Sequence, residues 1–164
     1  MTSKKPLQVA IVMGSASDQE TLKNAETILS TFGIAYETRI LSAHRTPDAL
    51  KTWLADCEKR GVQLFIAAAG MAAHLAGVVA AHTLKPVIGV PLSASSLDGL
   101  DALLSTVQMP AGVPVATVAI GNAGAKNAAY LAVQILSLSD PKLAKKLKAD
   151  RETQAKTILK SQLK

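Results

Sequence analysis

The chain has 164 residues, 49% hydrophobic and 18% charged, with a formal net charge of +6. That length suits one domain, residues 1–164, with a sizeable core, and no run of about 18 apolar residues is present to cross a membrane. Cys57 is the only cysteine, which excludes an internal disulfide, and the charge excess is local: residues 142–164 hold 8 basic and 2 acidic side chains, while the rest of the chain balances. Aromatic residues make up only 3% of the chain. A basic stripe without stacking rings is a poor nucleic-acid surface, so it reads as a solvated helix face. The start, "MTSKKPLQVAIVMG", has two lysines but no apolar stretch ending in a cleavage site, so a cytoplasmic protein is expected.

In chain order, "VAIVM" (9–13) reads as a buried strand. Residues 18–32 carry Leu22, Ala25, Ile28, Leu29 and Phe32 at helical spacing, and Gly33 closes the helix. "IAYETRIL" (34–41) is strand-like. Thr46 as N-cap and Pro47 at the first helical position open a helix whose inner face is Leu50, Trp53, Leu54 and Cys57, ended by Gly61. This places Cys57 in the core rather than at a reactive site. "VQLFIAAA" (62–69) predicts a third strand, 72–84 an Ala-rich helix and "PVIGVPL" (86–92) a fourth strand. A helix over 97–106, a fifth strand "VPVATVAI" (113–120) and an apolar helix over 123–139 follow. Pro141 separates these from a final amphipathic helix, about 142–163.

Five apolar strands alternating with helices predict an α/β protein: a doubly wound parallel sheet in three α/β/α layers, flavodoxin-like in order, with an extra C-terminal helix. Ligands of such sheets sit beyond the carboxyl ends of the strands, at the switch point. Three strand-to-helix junctions there carry chemistry. In "MGSASDQE" (13–20), Gly14 permits a tight turn, and Ser15 and Ser17 beside a helix start suit a phosphate. Asp18 could accept from ribose hydroxyls, although Ser17 and Glu20 also form a capping box that needs no ligand. In "SAHRTPD" (42–48), Ser42 and Ala43 precede His44, able to carry a proton either way, and Arg45, able to grip a phosphate bidentately. The bland alternative is a surface loop with a plain cap. In "AAAGMAAHLAG" (67–77), Gly70 and its small neighbours admit a ligand to the backbone, and His74 lies in the helix's first turn. With strands in the order 2-1-3, all three junctions meet in one crevice. The end of strand four, "GVPLSASSLDG", offers only serines and turns.

Metal binding is not expected: His74 and His82, eight apart on one helix, stand about 12 Å apart. No Walker or Gly-x-Gly-x-x-Gly sequence supports an ATP or dinucleotide reaction. Lys126, at a helix start, reads as solvated.

These segments, in the order "GSASD", "SAHRTP", "AAHL", "GVP" and "VQMP", resemble the PurE family of N5-carboxyaminoimidazole ribonucleotide mutases of purine biosynthesis, from about Val9 to the C-terminal helix. The resemblance implies a homo-octamer whose C-terminal helix packs on a neighbour, and a reaction without metal or organic cofactor. The carboxylate of N5-carboxyaminoimidazole ribonucleotide would move from the exocyclic nitrogen to ring carbon 4, with His44 as general acid and then base. Ser15, Ser17, Ser42 and Arg45 match phosphate-holding positions, and Asp18 matches the ribose carboxylate. Gly70, Met71, Ala72, His74 and Leu75 match the loop over base and carboxylate, with His74 an orienting group. The chain departs from its relatives at Ala68, Met71 and Ala76, where glycine, glycine and proline are common, and at Gln19, where tryptophan is.

Two alternatives stand beside this reading. One is direct carboxylation of aminoimidazole ribonucleotide by carbon dioxide, which a related branch with lysine in place of Arg45 performs. The other is a flavodoxin-like nucleotide-binding module without catalysis, which the absence of aromatic residues from the three junctions disfavours for FMN.

Overall fold

The computed structural model describes residues 6–161. Its centre is a parallel sheet of β1 (Val9–Met13), β2 (Tyr36–Ile40), β3 (Leu64–Gly70), β4 (Val87–Leu92) and β5 (Ala116–Thr117), in the order β2-β1-β3-β4-β5. The helices are α1 (Gln19–Phe32), α2 (Pro47–Lys59), α3 (Leu75–Ala81), α4 (Leu100–Val107), α5 (Gly121–Ser137) and α6 (Pro141–Lys160). This is the three-layer, flavodoxin-like arrangement that the alternation predicts.

Successive strand residues face opposite sides, so each strand feeds two cores. Val9, Ile11 and Met13 of β1 and Leu64, Ile66 and Ala68 of β3 pack with Leu22 and Leu29 of α1 and the alanines of α5. Ala10, Val12, Phe65 and Ala67 face Leu50, Trp53, Leu54 and Cys57 of α2 and Leu75 and Val79 of α3. Cys57 is fully buried as expected, and burial pushes its thiol up to about 11. The small residues of α5 let it lie close to the sheet; a side chain on Gly124 would collide with the Ala119 carbonyl.

Four local expectations change. The fifth strand shrinks from 113–120 to Ala116–Thr117. Its register pairs Ile88 with Ala116 and Gly89 with Thr117, so Pro114 would fall opposite Pro86 and Ala119 opposite Pro91. Proline removes a ladder donor at both ends. The helix expected over 72–84 is confined to Leu75–Ala81, because residues 71–74 form a turn. The helix expected over 97–106 runs from Leu100 to Val107. Ser17 and Glu20 do not form the capping box: it closes two residues earlier, between Ser15 and Asp18, around a short 3-10 turn at Ala16–Asp18. The first of the last helix's turns is capped by Asp140, whose Oδ1 accepts from Lys142 N (2.9 Å) and Leu143 N (3.1 Å), with Pro141 at the first position. From Arg151 to Lys160 every residue of α6 is exposed, although Gln154 Nε2 still donates to Tyr130 Oη of α5 (2.8 Å). Residues 162–163, the end of the expected last helix, lie outside the described residues.

Candidate active site

The carboxyl ends of β1, β2 and β3 lie side by side, because β1 pairs with both neighbours in register from Val9 to Met13. The chain leaves the sheet at Gly14, Leu41 and Gly70, and the three departures bound a crevice of about 520 Å³. Its wall holds Gly14, Ser15, Ser17, Asp18, Ser42, Ala43, His44, Arg45, Gly70, Met71, Ala72, His74 and Leu75, which are all of the residues singled out from the sequence. It also holds Ala69 and Ala94. Ala94 corrects the expectation that the end of strand four offers only serines and turns: it lines the crevice, and a side chain on Gly70 would come within 2.5 Å of Ala94 Cβ. Close packing against an alanine in a serine-rich turn carries no sequence signal of its own.

The first junction is built by the early capping box. Ser15 N donates to Asp18 Oδ2 (3.1 Å), and Ser17 N donates to Ser15 Oγ (3.4 Å). Ser17 Oγ lies 2.9 Å from Ser15 Oγ and 3.2 Å from Asp18 Oδ1, so its single proton has two acceptors. Asp18 is only 8% exposed. Burial raises its carboxyl above the ordinary 3.8, against the opposing bonds from Ser17 and Ser15 and the positive charge of Arg45. The result is a fixed acceptor at the crevice floor with two hydroxyls beside it.

At the second junction Thr46 occupies the N-cap position of α2 but its side chain does not cap the helix. Instead Thr46 Oγ1 accepts from Ser42 N (2.9 Å) and donates to Ser42 O (3.1 Å), pinching the loop into a closed turn. Within that turn Arg45 N donates to Ser42 Oγ (3.2 Å) and Arg45 Nη2 donates to Gly14 O (2.9 Å). The arginine thus ties the second junction to the first and holds its guanidinium beside the serines.

At the third junction Met71 takes a left-handed backbone, φ 57°, and His74 N donates to Ala72 O (2.8 Å). This turn places His74 at the N-cap position of α3 rather than inside its first turn. His74 Nδ1 then lies 2.8 Å from His44 Nε2, the rings nearly perpendicular at 88° with centroids 5.0 Å apart. Such a bond requires one proton between the two nitrogens, so one ring donates and the other accepts. The outer nitrogen of each ring remains for another partner. The crevice therefore offers hydroxyls and a guanidinium suited to an anion, together with two imidazoles sharing a proton. Lys126 is exposed, as expected. A second cavity of about 370 Å³ lies between α5 and α6, but its carboxylate, Asp150, is already bonded to Tyr130 Oη (3.0 Å) and Gln154 Nε2 (2.6 Å).

Comparison with known proteins places the chain in a family. Residues 8–157 match the family described as AIR carboxylase. The chain is 53% identical over 153 residues to the N5-carboxyaminoimidazole ribonucleotide mutase of Bacillus subtilis, covering 93% of this chain and 94% of that protein. It is 53% identical over 156 residues to the mutase of Saccharolobus solfataricus, covering 95% and 98%. The crystal structure of Treponema denticola PurE is similar over 93% of this chain and 94% of that one, with a TM-score of 0.84 and 36% identity. A match of this extent, on a fold whose strand ends converge as described, makes the chain a member of the AIR carboxylase, or PurE, family.

Proposed function

We propose that the protein is an isomerase of purine biosynthesis that converts N5-carboxyaminoimidazole ribonucleotide to 4-carboxy-5-aminoimidazole ribonucleotide. The observation that carries this reading is the 2.8 Å contact between His44 and His74 in a crevice that Arg45 and the serines also line. Mutase-named relatives at about half identity over nearly the whole chain support the same conclusion.

In this reading Ser15, Ser17, Ser42 and Arg45 bind the phosphate, and Asp18 accepts from the ribose hydroxyls. The imidazole ring then lies toward the histidines. His44 delivers a proton to the carbamate nitrogen as the nitrogen–carbon bond breaks, the bonding pair stays on nitrogen, and carbon dioxide is released. Carbon 4 attacks the carbon dioxide, and His44, now the base, removes the proton from carbon 4. One proton enters and one leaves, so the side chain is reset each turnover. His74 orients His44 through the shared proton. Gly70, Met71, Ala72 and Leu75 line the base end.

The protein works as a cytoplasmic homo-oligomer, an octamer, with α6 seated on a neighbouring subunit. The all-exposed distal half of α6, with Ile158 and Leu159 on it, supports that seat. So does the apolar stripe Leu100, Leu104 and Val107 along α4, exposed at helical spacing, with exposed Leu97 in the turn before it. Direct carboxylation of aminoimidazole ribonucleotide remains the second reading, favoured by the family's own description.

The deciding experiment compares two substrates on the purified chain: the carbamate nucleotide, and aminoimidazole ribonucleotide with bicarbonate at ordinary cellular concentrations. Faster product formation from the carbamate supports the mutase; faster formation from the free amine and bicarbonate assigns the direct carboxylase instead.

A further inference from the structure

The wall of the crevice is mostly polar or small, and its one large apolar side chain besides Met71 is Leu75, which is 2% exposed and belongs to the floor. Met71 is 59% exposed while also lining the crevice, so it stands at the mouth. Its backbone is left-handed at φ 57°, a conformation that glycine takes freely and that an unbranched L-residue takes at a cost. The backbone there is held from both sides. Gly70 is packed against Ala94 and Leu92 O, and His74 N is bonded to Ala72 O. A long side chain kept in a strained position at the rim of a site implies that the side chain is wanted.

The chemistry of the proposed reaction says for what. Between its two halves the reaction holds free carbon dioxide, which has no net charge and no hydrogen to donate. The hydroxyls, carboxylate and guanidinium of the phosphate end offer it little that water does not. Its retention depends on walls that leave it no exit and on keeping water out. Ala69, Ala72 and Ala94 end at Cβ, whereas the thioether chain of Met71 is long, flexible and apolar. We propose that Met71 is the retention residue of this crevice, covering the mouth while carbon dioxide is detached so that the carbon returns to the same nucleotide. The inference rests on the mutase reading above and adds to it a role for one side chain in partitioning the intermediate between recapture and escape.

The test uses carbamate nucleotide carrying carbon-13 in its carboxylate, with excess unlabelled bicarbonate and carbonic anhydrase to dilute any carbon dioxide that leaves. Mass spectrometry of the product reports the fraction of carbon retained. The parent chain is expected to keep nearly all of the label. Met71→Gly, which removes the side chain and relieves the backbone, is expected to lose label to solvent about tenfold more often, equivalent to about 1.4 kcal/mol in the partition. Met71→Leu, which restores apolar reach, is expected to recover retention. Equal label retention in the parent and Met71→Gly overturns the proposal. Product formation from the carbamate by the parent, with no difference between variants, overturns the role of Met71 alone. Failure of the parent to use the carbamate at all overturns the mutase reading itself. A melting midpoint of Met71→Gly at or above that of the parent shows that lost label reflects the mouth and not the fold.

Discussion

Removing the Arg45 guanidinium tests the anion end of the crevice most directly. A guanidinium has five N–H donors. In the structure Nε–H is directed at Ser42 Oγ (3.4 Å) and one Nη2–H at Gly14 O (2.9 Å), so five less two leaves three donors free. Two of these on one phosphate, at about 1.5 kcal/mol for each bond to a charged group, give about 3 kcal/mol, or roughly a hundredfold in affinity. Arg45→Ala is therefore expected to raise KM about a hundredfold. Because the phosphate is bound equally in ground and transition states, kcat is expected to change far less. Arg45→Lys keeps the charge but not the fork that holds Gly14 O and phosphate together, so its KM should fall between the two. The tether is exposed and contributes less than about 1 kcal/mol to folding, so the melting midpoint should shift only slightly. Initial rates of product formation across substrate concentration provide both constants. A KM within about twofold of the parent in Arg45→Ala would refute the phosphate assignment, since even one lost charge-assisted bond exceeds that.

Three further outcomes follow from the same geometry. His44→Asn should leave nucleotide binding intact, measured by calorimetry, while turnover falls by about 10²–10⁴-fold, the range of general acid–base assistance; near-normal turnover removes His44 from the chemistry. Gly70→Ala places a Cβ 2.5 Å from Ala94 Cβ and 3.2 Å from Leu92 O, so it should destabilise the fold by about 1–3 kcal/mol and displace the turn that carries His74; an unchanged urea midpoint would contradict the packing. Glu37 is held down to about 2 from 4.5, chiefly by Arg60 and also by Trp53 Nε1 and Arg39, against desolvation. Its native carboxylate binds protons less readily than the unfolded one, so its stabilisation is present above pH 4.5 and is lost as the pH falls toward 2. The full shift would correspond to about 3 kcal/mol. Arg60 and Arg39 are 38% and 61% exposed, and solvent screening brings the contribution nearer to 1 kcal/mol. Glu37→Gln should therefore lose less stability than the parent between pH 4.5 and 2 in urea titrations; parallel curves would refute the shift. The Asp18 shift has the opposite sign, raised from 3.8, so its contribution grows as the pH falls and cannot imitate this loss.

Patterns of hydrophobicity were enough to read the architecture, because burial of a parallel sheet on both faces leaves a local record: apolar runs such as "VAIVM" and "LFIAAA" between helices with a single greasy stripe. The same was true of which side chains line the crevice, since chemistry-bearing residues at strand ends are brought together by the 2-1-3 order. Segment boundaries were less legible where neighbours decide them. β5 is short because prolines fall at both ends of its pairing with β4, a fact about two strands and not one. The capping box formed at Ser15 and Asp18, although Ser17 and Glu20 have the same spacing, because a short 3-10 turn at Ala16–Asp18 comes between the strand and α1.

What the linear sequence determined is the inventory: a basic tail confined to one helix, five strands, and a serine–histidine–arginine set at the strand ends, where ligands of such sheets sit. What only the tertiary structure decided is how that inventory is joined. Arg45 bonding to Gly14 across 31 positions, His44 sharing a proton with His74 across 30, and Gly70 pressed against Ala94 are contacts between separate strand ends. Their distances depend on sheet register and on turns closed by backbone hydrogen bonds, and neither composition nor periodicity encodes a distance between segments that meet only when the sheet is assembled.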